Sequence, residues 1–285
     1  MMIDVFPHIM PLKYQEALYK KAPSNVLISK LAATFPAITD LDIRFRTMDK
    51  YEGLVQVLTL GNPAVEDVVG PKDAVALAKL ANDEMAELVT KHPDRFVAAV
   101  ACLPMNNVDA ALKEVDRAIT DLRFRGIQIS SSVNGKPLDS PEFLPLYEKM
   151  AYYDLPILIH PQRAGTVSDY PNERGSKHLV YQVFGWPYET TVTMTRLIFS
   201  GVFEKYPNLK IITHHCGGMV PYFAYRIAGQ YDTMELRAGY KYEPHLTKHP
   251  VDYYRMFYAD TAVSGSTAAL MCGYTFFGVD HILFG

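Results

Sequence analysis

Four of the nine histidines stand at the ends of short apolar runs: His8 follows Ile3–Phe6, His160 follows Leu155–Ile159, and the pair His214–His215 follows Leu209–Thr213. A single histidine is most often an ordinary hydrogen-bonded or exposed side chain. Three strand-end sites on one rim are different, because they converge. Neutral imidazole is a good ligand for Zn²⁺ and similar divalent ions. A metal site open on one side becomes a Lewis acid or a source of hydroxide. The histidines therefore point to metal-assisted chemistry, provided that the chain brings those strand ends together.

The elements that must do so recur along the whole sequence. Eight apolar runs occur, the others being Leu54–Leu60, Phe96–Ala101, Gly126–Ile129, Met256–Ala259 and His281–Phe284. Each is too short for a helix, rich in Val, Ile, Leu or Phe, and unbroken by alternation, as a strand buried on both faces should be. Between them Ala74, Leu77, Ala78, Ala81, Met85 and Leu88 form one helical stripe, and Val108, Ala111, Leu112, Val115, Ile119 and Leu122 another. Helical patterns also cover Phe143–Tyr153, Thr191–Ser200, Pro221–Gln230 and Gly265–Tyr274. Strict strand–helix alternation implies a parallel sheet. Eight strands, with no glycine-rich phosphate turn after the first, favour a closed (β/α)₈ TIM barrel over an open doubly wound sheet.

Three long connections, Ile9–Tyr51, Pro161–Glu189 and Tyr231–Arg255, interrupt the alternation. The first two leave from strand C-terminal ends, where a barrel builds its active site, so they are candidate walls or lids. Tyr170, Tyr181, Phe184, Trp186 and Tyr188 in the second would suit a flat aromatic substrate, and core packing or a subunit contact explains them equally well. No repeat or flexible linker is visible, which makes residues 1–285 one domain. The eighth run reaches Gly285 without a closing helix. The natural chain is expected to continue with a small hydroxyl residue, an Asp and that helix.

Composition narrows the partners. Of 285 residues 49% are hydrophobic and 21% charged, and 28 Lys and Arg against 31 Asp and Glu leave a formal charge of −3. Neither sign dominates, so nothing suggests a nucleic acid or an acidic membrane surface. The three cysteines are odd in number and widely spaced, which argues for a reducing compartment, with the cytoplasm as default. No leader and no apolar run long enough to span a bilayer is present.

The stretches DVFPHIMP, LPILIHPQ, RLIFSGVFEKYPNLKIITHHCGG and HILFG, in this order and spacing, resemble the amidohydrolase superfamily. Within it they look most like the aminocarboxymuconate-semialdehyde decarboxylase branch, which includes the γ-resorcylate and 5-carboxyvanillate decarboxylases. The most specific block runs from Glu189 to Ile227, with ETT, GVFEKYPNLKI, the His before CGG, and YRI. The resemblance implies one divalent metal, zinc foremost and manganese second, and no organic cofactor. It makes His8 and His160 metal ligands and His215 the nearby acid or base, followed by small residues that let the backbone approach. His214 is then an additional histidine, expected to point away from His215 because neighbours on a strand alternate faces.

By the same resemblance Asp4 and Asp260 are acidic residues supporting the ligands, and Arg226 reaches the substrate carboxylate of a neighbouring subunit, which implies a homodimer. A surface position on its helix accounts for Arg226 equally well. No arginine falls between Lys30 and Arg44 to supply the branch's other substrate arginine, so Arg163 or Arg44 is left for a carboxylate. Two positions depart from the pattern. Phe6 stands where the first ligand of the strand-one pair belongs, and the fourth ligand would lie two residues beyond Gly285. The implied activity is decarboxylation of a hydroxylated aromatic or unsaturated carboxylic acid. The alternatives are hydrolysis of an amide, ester or lactone on the same barrel, and a degenerate barrel that binds a small acid or a partner subunit.

Overall fold

A computed structural model describes residues 1–22, 34–239, 244 and 246–285. Parts of the first and third long connections, residues 23–33, 240–243 and 245, lie outside the described residues. The chain divides into two compact units, Met1–Ile129 with Phe284–Gly285, and Ser130–Leu283.

In the first unit the central strand is β3, Leu54–Leu60, where the apolar run places it. Two short strands, β1 (Met2–Asp4) and β2 (His8–Ile9), lie parallel to it, with Asp4 opposite Gln56 and His8 opposite Thr59. The sequence suggests one strand over Ile3–Phe6. It is broken because Pro7 has no N–H to give to a ladder. Strand β4 (Phe96–Ala99) pairs with β3 on its other side, and β5 (Ala101–Cys102) pairs with β6 (Ile127–Ser130). The helix Pro71–Lys91 buries Ala74, Leu77, Ala78, Ala81 and Met85, as its stripe requires. The helix Val108–Thr120 begins where the Asn107 side chain accepts the Ala110 N–H at 3.2 Å.

The second unit opens with a small antiparallel hairpin that the apolar pattern does not reveal, β7 (Ser132–Val133) and β8 (Lys136–Pro137). Asn134 and Gly135 turn it, at φ 49° and 79°. Four parallel strands follow in sequence order: β9 (Ile157–His160), β10 (Ile211–Thr213), β11 (Tyr258–Asp260) and β12 (Ile282–Leu283). Every residue of β9 and β10 is buried, which is why their sequences do not alternate. Between them run the helices Gly185–Phe199, Val220–Ala238 and Thr267–Phe277. The first starts earlier than its stripe suggests, since Pro187 is tolerated in a first turn. The second runs on to Ala238 because no breaker occurs before Gly239, which caps it at φ 60°. Among the described residues no helix is long and apolar enough to cross a membrane.

Candidate metal centre

Adjacent parallel strands in register end side by side, so β9, β10 and β11 deliver His160, His214 and Asp260 to one place. All three are buried, Asp260 completely. The rings of His160 and His214 have centroids 5.1 Å apart, and their ligating nitrogens lie within 4.8 Å of each other. His160 Nδ1 is bonded to the Pro161 carbonyl at 2.8 Å, and His214 Nδ1 to the Asp260 carboxylate. A carbonyl and a carboxylate only accept, so each holds the imidazole proton on Nδ1 and leaves the lone pair on Nε2. That is the form in which histidine binds a divalent ion, supported from behind by an oxygen. The donor set fits such an ion.

Asp260 also accepts the backbone N–H groups of Cys216 and Ala262, both at 3.1 Å. Burial alone would raise its pKa. The neighbouring His214 and the two amides outweigh that effect and hold the carboxyl below its usual range.

His214 does not point away from His215: the two rings are 4.2 Å apart. Face alternation applies only inside a strand, and β10 ends at Thr213. His214 is still extended, at φ −81° and ψ 162°, but His215 and Cys216 then turn into the left-handed region at φ 55° and 54°. The turn brings both imidazoles to the same side. His215 stacks on Trp186, with centroids 6.2 Å apart and planes inclined by 25°, and Trp186 also meets His160 edge-on at 5.7 Å. Among the described residues His215 Nδ1 is buried without a hydrogen-bond partner. Burial first, then the adjacent His214, push its pKa down to about 4 against the pull of Asp260. At neutral pH the ring is uncharged.

The small residues after His215 serve close packing. A side chain at Gly217 would strike the Phe277 ring at 2.6 Å, and one at Gly218 would run into the Pro187 carbonyl and Thr191 Oγ1.

In the first unit His8 Nδ1 pairs with Thr59 Oγ1 at 3.1 Å, and Phe6 is buried edge-on to the His8 ring at 5.7 Å. Asp4 braces the strand start, accepting from the Phe6 N–H and from Gln56 Nε2, each at 3.1 Å. Arg44 is not left for a substrate carboxylate. It is buried and donates to Gln56 Oε1, to the His8 and Ala37 carbonyls and, at 2.7 Å, to the Pro7 carbonyl. Burial lowers its pKa to about 10, which leaves it charged. Its role is to hold the backbone on either side of the Pro7–His8 bond.

Arg163 pairs with Glu189 at 2.8 Å and lies across Gly185, where any side chain would displace it. Arg226 is exposed, on a helical face with Tyr222 and Tyr225. Of the five aromatic residues after β9, Trp186 is the one in ring contact with the histidines, while Tyr170, Phe184 and Tyr188 are exposed. Glu189 and Thr191, which bind Arg163 and the Met219 N–H, have no individual signature in the sequence. Both lie in the ETT motif, which was the available signal.

The family model described as "Amidohydrolase" matches residues 17–285. The 2-amino-3-carboxymuconate-6-semialdehyde decarboxylase of Dictyostelium discoideum is 31% identical over 235 residues, 80% of this chain and 61% of that protein. The chain thus spans about three fifths of that relative's length. The γ-resorcylate decarboxylase of Polaromonas sp. is 34% identical over 254 residues, 85% of this chain and 75% of the relative. Among solved structures, the dihydroxybenzoic acid decarboxylase of Polaromonas sp. JS666, with bound manganese and 2-nitroresorcinol, superposes with a TM-score of 0.80 at 27% identity, covering 100% of this chain and 86% of that one. The (β/α)₈ barrel suggested by strand–helix alternation is the fold of these relatives. With its parallel strands, its strand-end histidines and a family match over nearly its whole length, the chain belongs to the amidohydrolase family.

Proposed function

We propose that this chain is a metal-dependent carboxy-lyase, working without an organic cofactor, that removes CO₂ from a hydroxylated aromatic or unsaturated carboxylic acid. The observation that carries the reading is the matched pair His160 and His214, each with Nδ1 tied to an acceptor-only oxygen. In this reading residues 1–285 act as one domain, and His8 joins the pair as a third imidazole. The ion is zinc or manganese, the latter supported by the manganese in the Polaromonas structure. When bound, it would supply Lewis-acid stabilisation to the oxygens of the substrate.

The chain's own residues do the rest. Trp186, in ring contact with His160 and His215, offers a flat apolar wall for an aromatic ring. His215, uncharged at neutral pH, takes the phenolic proton and returns it to the ring carbon that bears the carboxylate. The electrons of the carbon–carbon bond then flow into the ring as CO₂ leaves, and solvent reprotonates the phenolate. Arg163 faces the substrate as half of an ion pair with Glu189, so it contributes direction more than net charge.

Protein loaded with Mn²⁺ or Zn²⁺ should release CO₂ from 2,6-dihydroxybenzoate or a related hydroxybenzoate. No stoichiometric metal after reconstitution, and no turnover on a panel of such acids, would leave the degenerate barrel. Phe6 bears on the same question. Phe6→His should tighten metal binding by about 10-fold or more in a chelator competition, because it restores a nitrogen donor beside His8. Unchanged affinity would show that position 6 does not reach the ion.

Homodimerisation and a cytoplasmic location belong to the same proposal. The exposed Tyr222, Tyr225 and Leu236 of the helix Val220–Ala238, beside Arg226, support a partner surface. Free Cys102, Cys216 and Cys272 support a reducing compartment. Light scattering should give twice the chain mass of 32.1 kDa. A monomer at high concentration would sink the dimer.

A further inference from the structure

The turn that carries His215 is held in a conformation its sequence does not favour. Residues 215 to 218 all have positive φ, at 55°, 54°, 75° and 62°, and the first two are not glycine. Such a run persists only where its surroundings over-determine it. At the strand side the Cys216 N–H is fixed by Asp260 at 3.1 Å. At the helix side the Met219 N–H is accepted by Thr191 Oγ1 at 2.9 Å, and the same hydroxyl donates to the Pro187 carbonyl at 2.8 Å. Gly218 is pressed against both of these groups. Thr191 thus has its donor engaged on its own helix and an acceptor lone pair engaged on the turn.

That helix, Gly185–Phe199, is also the one that carries Trp186. The His215 ring has no hydrogen bond at Nδ1 among the described residues, so its orientation comes from the turn backbone, from the neighbouring His214 ring and from the Trp186 stack.

We propose that Thr191 is the positioning residue of His215: its hydroxyl ties the strained turn to the helix bearing Trp186 and so sets the distance and tilt between the imidazole and the indole. The inference deepens the decarboxylase reading, and its principal test does not need that reading to be right. Trp186 is the only tryptophan in the chain, so the tryptophan fluorescence reports on its surroundings alone, the His215 and His160 rings among them. Thr191→Val keeps the shape and removes the hydroxyl, whereas Thr191→Ser keeps the hydroxyl.

For Thr191→Val the expected results are a changed Trp186 emission, acrylamide quenching raised about two-fold or more, and a kcat lowered by about 10-fold with KM within two-fold, since a misplaced proton-transfer group affects the chemical step. Thr191→Ser should match the wild type in all of these. Emission, quenching and kcat all unchanged in a folded Thr191→Val protein would overturn the proposal, as would a Thr191→Ser protein no better than the valine variant.

If the valine variant does not fold, hydrogen exchange at the Met219 amide of the wild type decides. Strong protection supports the tie, and exchange as fast as in an open loop removes it. Loss of the decarboxylase reading would appear separately, as a wild type without turnover whose fluorescence and exchange still follow Thr191.

Discussion

Replacing His160 by alanine should abolish both metal binding and turnover while leaving a folded protein. His160 is the last residue of β9 and is buried beside His214. Its loss removes one of two adjacent imidazole nitrogens already set in the ligating tautomer. A divalent ion held through this pair cannot keep an ordered shell once one of the two imidazoles is gone. The expected loss of kcat/KM is on the order of a thousand-fold or more, with metal content falling from stoichiometric to background by elemental analysis. The cost in folding should be modest, about 1–3 kcal/mol, because the substitution removes one hydrogen bond to the Pro161 carbonyl and some buried ring surface. A variant that retains stoichiometric metal would remove His160 from the ligand set.

That much of the centre was legible because strand ends are easy to find. A parallel strand buried on both faces shows as an unbroken apolar run, and the polar residue that ends it is conspicuous. His160 and Asp260, the final residues of β9 and β11, were visible in this way or through the family pattern. His214 was not, because face alternation ends with β10 at Thr213, one residue before it. Whether a strand stops at Thr213 or continues to His215 depends on the packing of Gly217 on Phe277 and Gly218 on Pro187, contacts between segments far apart in sequence.

The same limit hid the role of Arg44. Its spacing on a short helix says nothing of the Pro7 and His8 carbonyls that it holds. Trp186 was one aromatic among five until the helix Gly185–Phe199 turned it toward the imidazoles and left its neighbours exposed. Composition and periodicity carried the fold class, while tertiary contacts carried the allocation of roles.

His215→Ala separates proton transfer from metal binding, and it should give the opposite signature to His160→Ala. His215 is not tied to an acceptor at Nδ1 as His160 and His214 are. It lies half-buried under Trp186, and burial together with His214 keeps it uncharged at neutral pH. An uncharged imidazole with an unpartnered nitrogen can accept and return a proton. Removing it leaves both tied imidazoles and the Asp260 support in place, so metal content should stay within experimental error of the wild type. Turnover should fall by about 10²–10⁴-fold, the usual contribution of a positioned general acid–base group, while KM changes little. Small imidazoles added in solution should restore part of the rate, since alanine leaves room beneath the indole for a replacement base. Full activity without His215, or loss of the metal together with the rate, would transfer the proton-moving role to another residue and make His215 part of the metal shell instead.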